Sequence, residues 1–171
     1  KQVIKTNPAD VEALLASNFV DNSAVTIKDM LTEKIATIGE NMSIRRFEKV
    51  AGEAVVSYIH GGRIGALVAG NVEATEEVKT ALTNIAMQVA AANPQYVKQD
   101  EVPADVVEKE KEILTAQAIN EGKPANIAEK MVMGRIKKYY EENCLVEQAF
   151  IKDDSVKIAD LLKKGNITIA N

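Results

Sequence analysis

His60 is the chain's only histidine and Cys144 its only cysteine, which leaves little for a nucleophile–base pair. An imidazole near neutral pH suits a general base, but it needs a nucleophile within hydrogen-bond reach and a third group to orient it. His60-Gly61-Gly62-Arg63 offers a turn between β-prone runs and supplies neither. Carboxylates such as Glu108 and Glu112 fall on a stretch with helical spacing and read as an exposed face, not as an acid–base pair. Arg45, Arg46 and Arg63 are suitable phosphate ligands, yet a glycine loop that cradles phosphate opens into a helix, and Gly61-Gly62 opens into a strand. Lys137-Lys138 reads as a solvated helix face. With one histidine, one cysteine and no metal-ligand spacing, the sequence implies no enzyme, no cofactor and no metal. It points instead to a surface that binds another macromolecule.

The elements that must carry such a surface are drawn from a chain of 171 residues, enough for one domain or for two small lobes with an appendage. Hydrophobic residues make up 46% and charged residues 27%, the balance of a globular protein, while 4% aromatic content without Trp implies an aliphatic core. The formal charge of −4 argues against binding along a nucleic-acid backbone, which needs a concentrated basic face. Cys144 alone excludes an intrachain disulfide and a cysteine-based zinc site; it reads as a buried thiol in a reducing, cytoplasmic compartment. No apolar run is long enough to span a bilayer and none resembles a signal peptide, and the start at Lys1-Gln2-Val3 reads as that of a fragment.

Asn7-Pro8 reads as an N-cap followed by proline at the first helical position, with Val11, Leu14 and Leu15 as a short apolar face. Phe19 to Ser23 reads as loop. Thr26 and Asp29 form a capping-box pattern for a helix whose stripe is Ile27, Leu31, Ile35 and Ile38, with Gly39 as its stop. Met42 to Val50 reads as a strand. Val55–His60 and Arg63–Val68 predict a hairpin across Gly61-Gly62, with His60 opposite Arg63, and with Val55, Ile59, Ile64 and Val68 on one face. A helix over Glu76–Ala92 ends at Asn93-Pro94. Pro103–Glu121, mainly acidic, and Pro124–Asn143, mildly basic, predict an αα-hairpin around Gly122-Lys123, zipped by Val106, Ile113 and Leu114 against Val132, Ile136 and Tyr139. So thin a finger has little core of its own and must project from the body or dock onto a partner or a second copy. Ala149-Phe150-Ile151 is β-like, Ser155–Lys164 reads as a last helix, and Ile167-Thr168-Ile169 begins a strand. No internal repeat is evident.

Placed in this order, the motifs resemble those of bacterial elongation factor Ts, the nucleotide-exchange partner of elongation factor Tu. The resemblance rests on Ile38-Gly39-Glu40-Asn41 with Ile44-Arg45-Arg46-Phe47, and on His60-Gly61-Gly62-Arg63-Ile64-Gly65. It continues through Ile85-Ala86-Met87, Asn93-Pro94-Gln95-Tyr96-Val97 and Val106-Val107-Glu108-Lys109-Glu110 to Gly122-Lys123-Pro124 and Glu129-Lys130-Met131-Val132 with Gly134-Arg135. It implies an α+β fold: two small antiparallel-sheet lobes packed on helices, with an inserted helical, coiled-coil-like hairpin. The expected boundaries are 1–53 for an incomplete N-terminal lobe, 54–99 plus 145–171 for the C-terminal lobe, and 100–144 for the hairpin, a dimerisation module in the family.

Three departures from the family pattern are expected to matter. The N-terminal helical domain is absent, as are the first strands of the N-terminal lobe with their T-D-F-V signature, and the second lobe stops early. Ser17-Asn18-Phe19-Val20 imitates that signature but lies too close to Ile38 to be it. By resemblance, Ile38, Gly39 and His60 match positions that contact a helix of the GTPase's nucleotide domain, and Ile151 and Lys152 match a stretch that touches another of its domains. The implied function is guanine-nucleotide exchange in translation elongation in the cytoplasm, with elongation factor Tu as partner, a homodimer through the hairpin, and no nucleic acid or membrane bound. The rival is a structural or dimerisation module that binds partners without exchange activity.

Overall fold

The computed structural model describes residues 1–170, the side chain of Ala170 excepted. The fold is α+β, and the chain divides into two compact units, Lys1–Lys49 and a second that starts at Val50 and takes in the rest of the described chain. In the first unit, α1 (Gln2–Thr6) ends at Asn7, whose φ of 45° places it in the left-handed region that asparagine tolerates better than most residues. Asn7 is therefore the end of one helix and not the start of the next. Asp10 caps α2 (Val11–Ala16) instead, its carboxylate accepting the Ala13 N–H at 2.8 Å. The segment expected as loop is a tight hairpin, β1 (Asn18–Phe19) with β2 (Asn22–Thr26). The capping box forms as expected at the head of α3 (Ile27–Ile38): the Asp29 N–H donates to Thr26 Oγ1 at 3.1 Å, and the Thr26 N–H to Asp29 Oδ2 at 3.0 Å. Met42–Val50 is not a strand; Arg45-Arg46 breaks its alternation, and none of the described strands pairs with it.

In the second unit, β3 (Ala54–His60) and β4 (Ile64–Gly70) form the expected hairpin with a register one residue away from the expected one. Gly61 and Gly62 both take positive φ, and Arg63 N–H closes the turn on the His60 carbonyl at 3.1 Å. Arg63 then stays outside the ladder, so His60 pairs with Ile64 and Val56 with Val68. The expected pairing would have turned Ser57 inward. The observed one turns Ala54, Val56 and Tyr58 inward with Ala66 and Val68, burying the first and the last two fully and Val56 and Tyr58 in part, and leaves Val55 and Ile59 on the open face.

Helix α4 (Glu76–Ala92) lays Leu82, Ile85 and Ala86 against that inner face. The αα-hairpin is α5 (Ala104–Asn120) and α6 (Ala125–Asn143), closed by Leu114 and Ala118 against Ala128 and Ile136; Ile113 is outside the seam, 45% exposed. Beyond it, β5 (Ala149–Phe150) pairs with β6 (Asp153–Lys157), so the last helix, α7 (Ile158–Lys164), begins later than Ser155. Leu145, Phe150, Ile158, Leu162 and Ile167 complete the core, and β7 (Ile169–Ala170) adds to the free edge of β4.

The two units repeat one another, contrary to the sequence expectation. The β1–β2 pairs Asn18↔Thr26 and Phe19↔Asn22 recur 131 positions later as Ala149↔Lys157 and Phe150↔Asp153. The strap from Ile27 N–H to the Ser17 carbonyl recurs from Ile158 N–H to the Gln148 carbonyl, both at 3.0 Å. Leu14, Phe19, Val25, Ile27, Asp29 and Leu31 stand in register with Leu145, Phe150, Val156, Ile158, Asp160 and Leu162. Upstream, Gln2-Val3 and Asn7-Pro8 recur only 86 positions later, as Gln88-Val89 and Asn93-Pro94, and Asn93 repeats the left-handed cap of Asn7. The 45-residue difference between the two spacings is the length added by the αα-hairpin, which is thus an insertion into the second copy.

Candidate functional site

His60 is the last residue of β3, on the α4 side of the sheet, where the register places it with Tyr58. The Tyr58 hydroxyl lies 2.9 Å from His60 Nδ1, and the rings are 6.1 Å apart at 40°. With the hydroxyl donating, the imidazole proton sits on Nε2. Beneath the pair, Ala90 and Ala91 of α4 are too small to fill the space, and a depression of about 310 Å³ opens there. Met87 and Ile64 form part of its wall, and the remaining wall is Ile151, 48% exposed. The fold therefore brings His60 and Ile151 together although 91 positions separate them. Lys152, next to Ile151, donates to Asn84 Oδ1 on α4 at 2.8 Å.

Ile151 is held by a residue that sequence reasoning did not single out. Gln88, 1% exposed, accepts the Ile151 N–H through Oε1 at 2.9 Å. Its amide nitrogen donates to the Ala149 carbonyl and to Gln148 Oε1, each at 3.1 Å. Gln148 in turn donates to the Glu142 carbonyl at the foot of α6 at 2.9 Å. Two glutamines on stretches with helical or β-like pattern carry no motif, and only their burial reveals them. Tyr58, Asn84 and Met87 were not singled out as site residues either; their place beside His60, Lys152 and Ile151 follows only from the fold.

Ile38 and Gly39 lie in the first unit. Ile38 is the final residue of α3 and is 55% exposed, so it is not a core side chain. Gly39 takes φ +79° and donates to the Ile35 carbonyl at 2.8 Å, with open space where a Cβ would be. The two therefore present an apolar side chain beside bare backbone at a helix end.

Among the described residues no cluster of three or more His, Cys, Asp or Glu could hold a metal, and no buried side-chain polar atom lacks a hydrogen-bond partner. Cys144 is fully buried, and that burial pushes its thiol pKa up, away from the thiolate a nucleophile needs. No described helix is long and apolar enough to cross a membrane. A second apolar surface runs along the αα-hairpin, a groove of about 630 Å³ between Thr115 and Ile119 on one side and Val132, Met133 and Ile136 on the other. Ile119 and Met133 are 62% and 68% exposed there.

A family model described as Elongation factor TS matches residues 1–171. Curated proteins named Elongation factor Ts are similar along nearly the whole chain. That of Clostridium botulinum (strain ATCC 19397 / Type A) is 47% identical over 96% of this chain and 55% of its own length. Those of Clostridium novyi and Clostridium kluyveri are 46% and 45% identical, over 96% and 95% of this chain and 55% of theirs. The chain thus spans about half the length of the curated relatives it matches.

Proposed function

The chain belongs to the elongation factor Ts family, and from that premise we propose that it is the core of a guanine-nucleotide exchange factor that binds elongation factor Tu and promotes release of GDP. The observation that carries this reading is the surface on which His60 and Ile151 meet over the small residues of α4. It has an apolar floor, a polar rim and no reactive group, which suits an inserted side chain of a partner protein. His60 presents Nε2 to that partner, Ile151 supplies contact area, and Lys152 adds a charge at the rim. Ile38 and Gly39 give the first unit its own contact with the GTPase.

Exchange requires no bond to be made or broken, hence no catalytic residue, cofactor or metal in this chain. A protein that binds the nucleotide-free GTPase more tightly than the nucleotide-bound form must weaken nucleotide affinity by the same factor, because the coupling is reciprocal. The work of this surface is to be complementary to the nucleotide-free shape. Such a factor acts in the cytoplasm, with the translation machinery. The test is release of a fluorescent GDP from elongation factor Tu at saturating chain. Accelerated release is expected, and a rate no greater than the spontaneous one would reduce the chain to a binding module. At the site, His60→Ala should weaken affinity for the GTPase, and unchanged affinity would remove His60 from the interface.

The hairpin supports homodimerisation as well. Its groove is apolar, and the two helices differ in charge: α5 is mainly acidic, and α6 carries Lys130, Arg135, Lys137 and Lys138. A second copy laid antiparallel covers Ile119 and Met133 while setting acidic helix against basic helix. Light scattering should give twice the chain mass, falling to the monomer with Met133→Glu.

A further inference from the structure

We propose that Gln88 is the positioning residue of the docking surface, fixing Ile151 and Lys152 against α4 so that they meet the GTPase together with His60; the inference rests on the docking reading given above. Its side-chain amide acts on the β5–β6 tip at three points. It accepts the N–H of the tip residue Ile151, and it donates to the carbonyl of Ala149 and to the side-chain oxygen of Gln148. An N–H at a hairpin tip has no cross-strand partner. Held by a fully buried glutamine on a long helix, this one cannot swing without breaking three bonds at once and stranding polar groups away from water.

The first unit contains the same device at the equivalent residues, which argues that it is a built feature and not a chance contact. Gln2, in register with Gln88, accepts the Val20 N–H at 2.9 Å. It donates to the Asn18 carbonyl at 2.8 Å and to Ser17 Oγ at 3.0 Å. Val20, Asn18 and Ser17 are the counterparts of Ile151, Ala149 and Gln148. The copies differ in what lies beyond the clamp. Ser17 passes the link only to its own α2, through Leu14 O at 2.7 Å, whereas Gln148 passes it to Glu142 at the foot of α6. In the second copy the clamp thus ties the tip, α4 and the inserted hairpin into one body, and Met87, Ala90 and Ala91 on that same α4 line the depression with His60.

Gln88→Met keeps the side chain's length and removes all three bonds. Titrated against nucleotide-free elongation factor Tu, it should bind about tenfold more weakly, and Ile151→Ala added to it should cost little more, because the two act as a unit. Exchange of the Ile151 amide hydrogen should accelerate in the free Gln88→Met chain. Gln2→Met, which removes the matching clamp, should change affinity by less than about twofold. A merely structural role would lower the melting temperature, leave the affinity of the folded chain unchanged and give losses that multiply with Ile151→Ala; that result overturns the inference. So does an equal affinity loss in Gln2→Met. If Ile151→Ala alone leaves affinity unchanged, the docking reading falls first and takes the inference with it. If Gln88→Met does not fold, the wild-type chain decides: the Ile151 amide must exchange as slowly as the core amides of α4, and fast exchange there refutes the clamp.

Discussion

The β1–β2–α3 segment and the β5–β6–α7 segment repeat one strand pairing, but at two positions, those of Ser17 and Thr26, the second copy carries a side chain that turns toward the inserted hairpin. Ser17 becomes Gln148, which bonds the foot of α6. Thr26, which caps α3, becomes Lys157, which gives α7 no cap and instead reaches Glu147 at 3.4 Å and Glu141 of α6 at 3.7 Å. Glu141 also faces Lys137 at 3.9 Å. The second copy has given up local helix-ending devices for bonds that fasten an appendage. The repeat supplies the frame, and the exchanged residues adapt it to carry a finger.

The comparison is broken most completely by excision. If the αα-hairpin is an insertion, residues 95–144 can be replaced by the short link that the first unit uses between Pro8 and Leu14, Ala9-Asp10-Val11-Glu12-Ala13. The shortened chain should still unfold in one cooperative denaturant transition and should scatter light as a monomer. Loss of the transition would mean that the hairpin is part of the core.

Next in size is the difference in core. Ile27 and Ile158 are equivalent, 3% and 0% exposed. Ile158 sits in a continuous cluster with Leu82, Ile85, Leu145, Phe150 and Leu162, whereas the first unit's other buried apolar side chain is Leu14. Ile158→Ala should cost about 4 kcal/mol, near the upper end for a well-enclosed aliphatic side chain, and Ile27→Ala about 2 kcal/mol, because sparser surroundings relax more easily. Urea unfolding monitored in each variant gives both numbers, and equal costs would show that the two copies are packed alike.

The sequence made much of this legible, and what it hid has physical causes. Capping by Thr26 and Asp29, the glycine turn after His60 and the paired helices around Gly122 rest on local chemistry, which short windows reveal. The hairpin register did not, since it depends on keeping Ser57 out of the core, a property of the assembled sheet. β1–β2 was hidden because its strands are too short to show alternation. The repeat was hidden because the insertion gives its two halves different spacings. At the site, His60 and Ile151 were named by resemblance, but their meeting over α4 required the fold, and Gln88 carried no pattern at all.

A smaller effect distinguishes the two helix starts. Thr26→Ala should cost about 1 kcal/mol through the lost cap of α3. Lys157→Thr transfers the first copy's cap to the second, and a helix gain of several tenths of a kcal/mol is expected. The same change cuts Lys157 away from Glu141 and Glu147, so the foot of the hairpin should open more often. Cys144, buried there, reports the opening: its reaction with a thiol reagent should accelerate while global stability rises or stays level. No change in labelling rate would mean that the Lys157 ion pairs, which are partly exposed, hold nothing.

The smallest expected effect is the dependence of the first unit on acid, and its sign follows from the capping box. The carboxyl of Asp29 is held below the usual carboxylate range, first by the Thr26 hydroxyl at 2.7 Å and then by the Thr26 N–H. A depressed pKa in the folded chain means that the unfolded chain binds the proton more readily. The contribution is therefore complete above the unfolded value of about 3.9 and is lost as pH falls through the lower folded value. Asp29 is exposed, so the loss is small. Between pH 5 and pH 3 the urea midpoint of wild type should fall slightly more than that of Asp29→Asn, which cannot titrate. Asp160, the equivalent residue of α7, has no capping partner at Lys157. Parallel slopes for wild type and Asp29→Asn would show that the box is formed but carries no pH-linked stability.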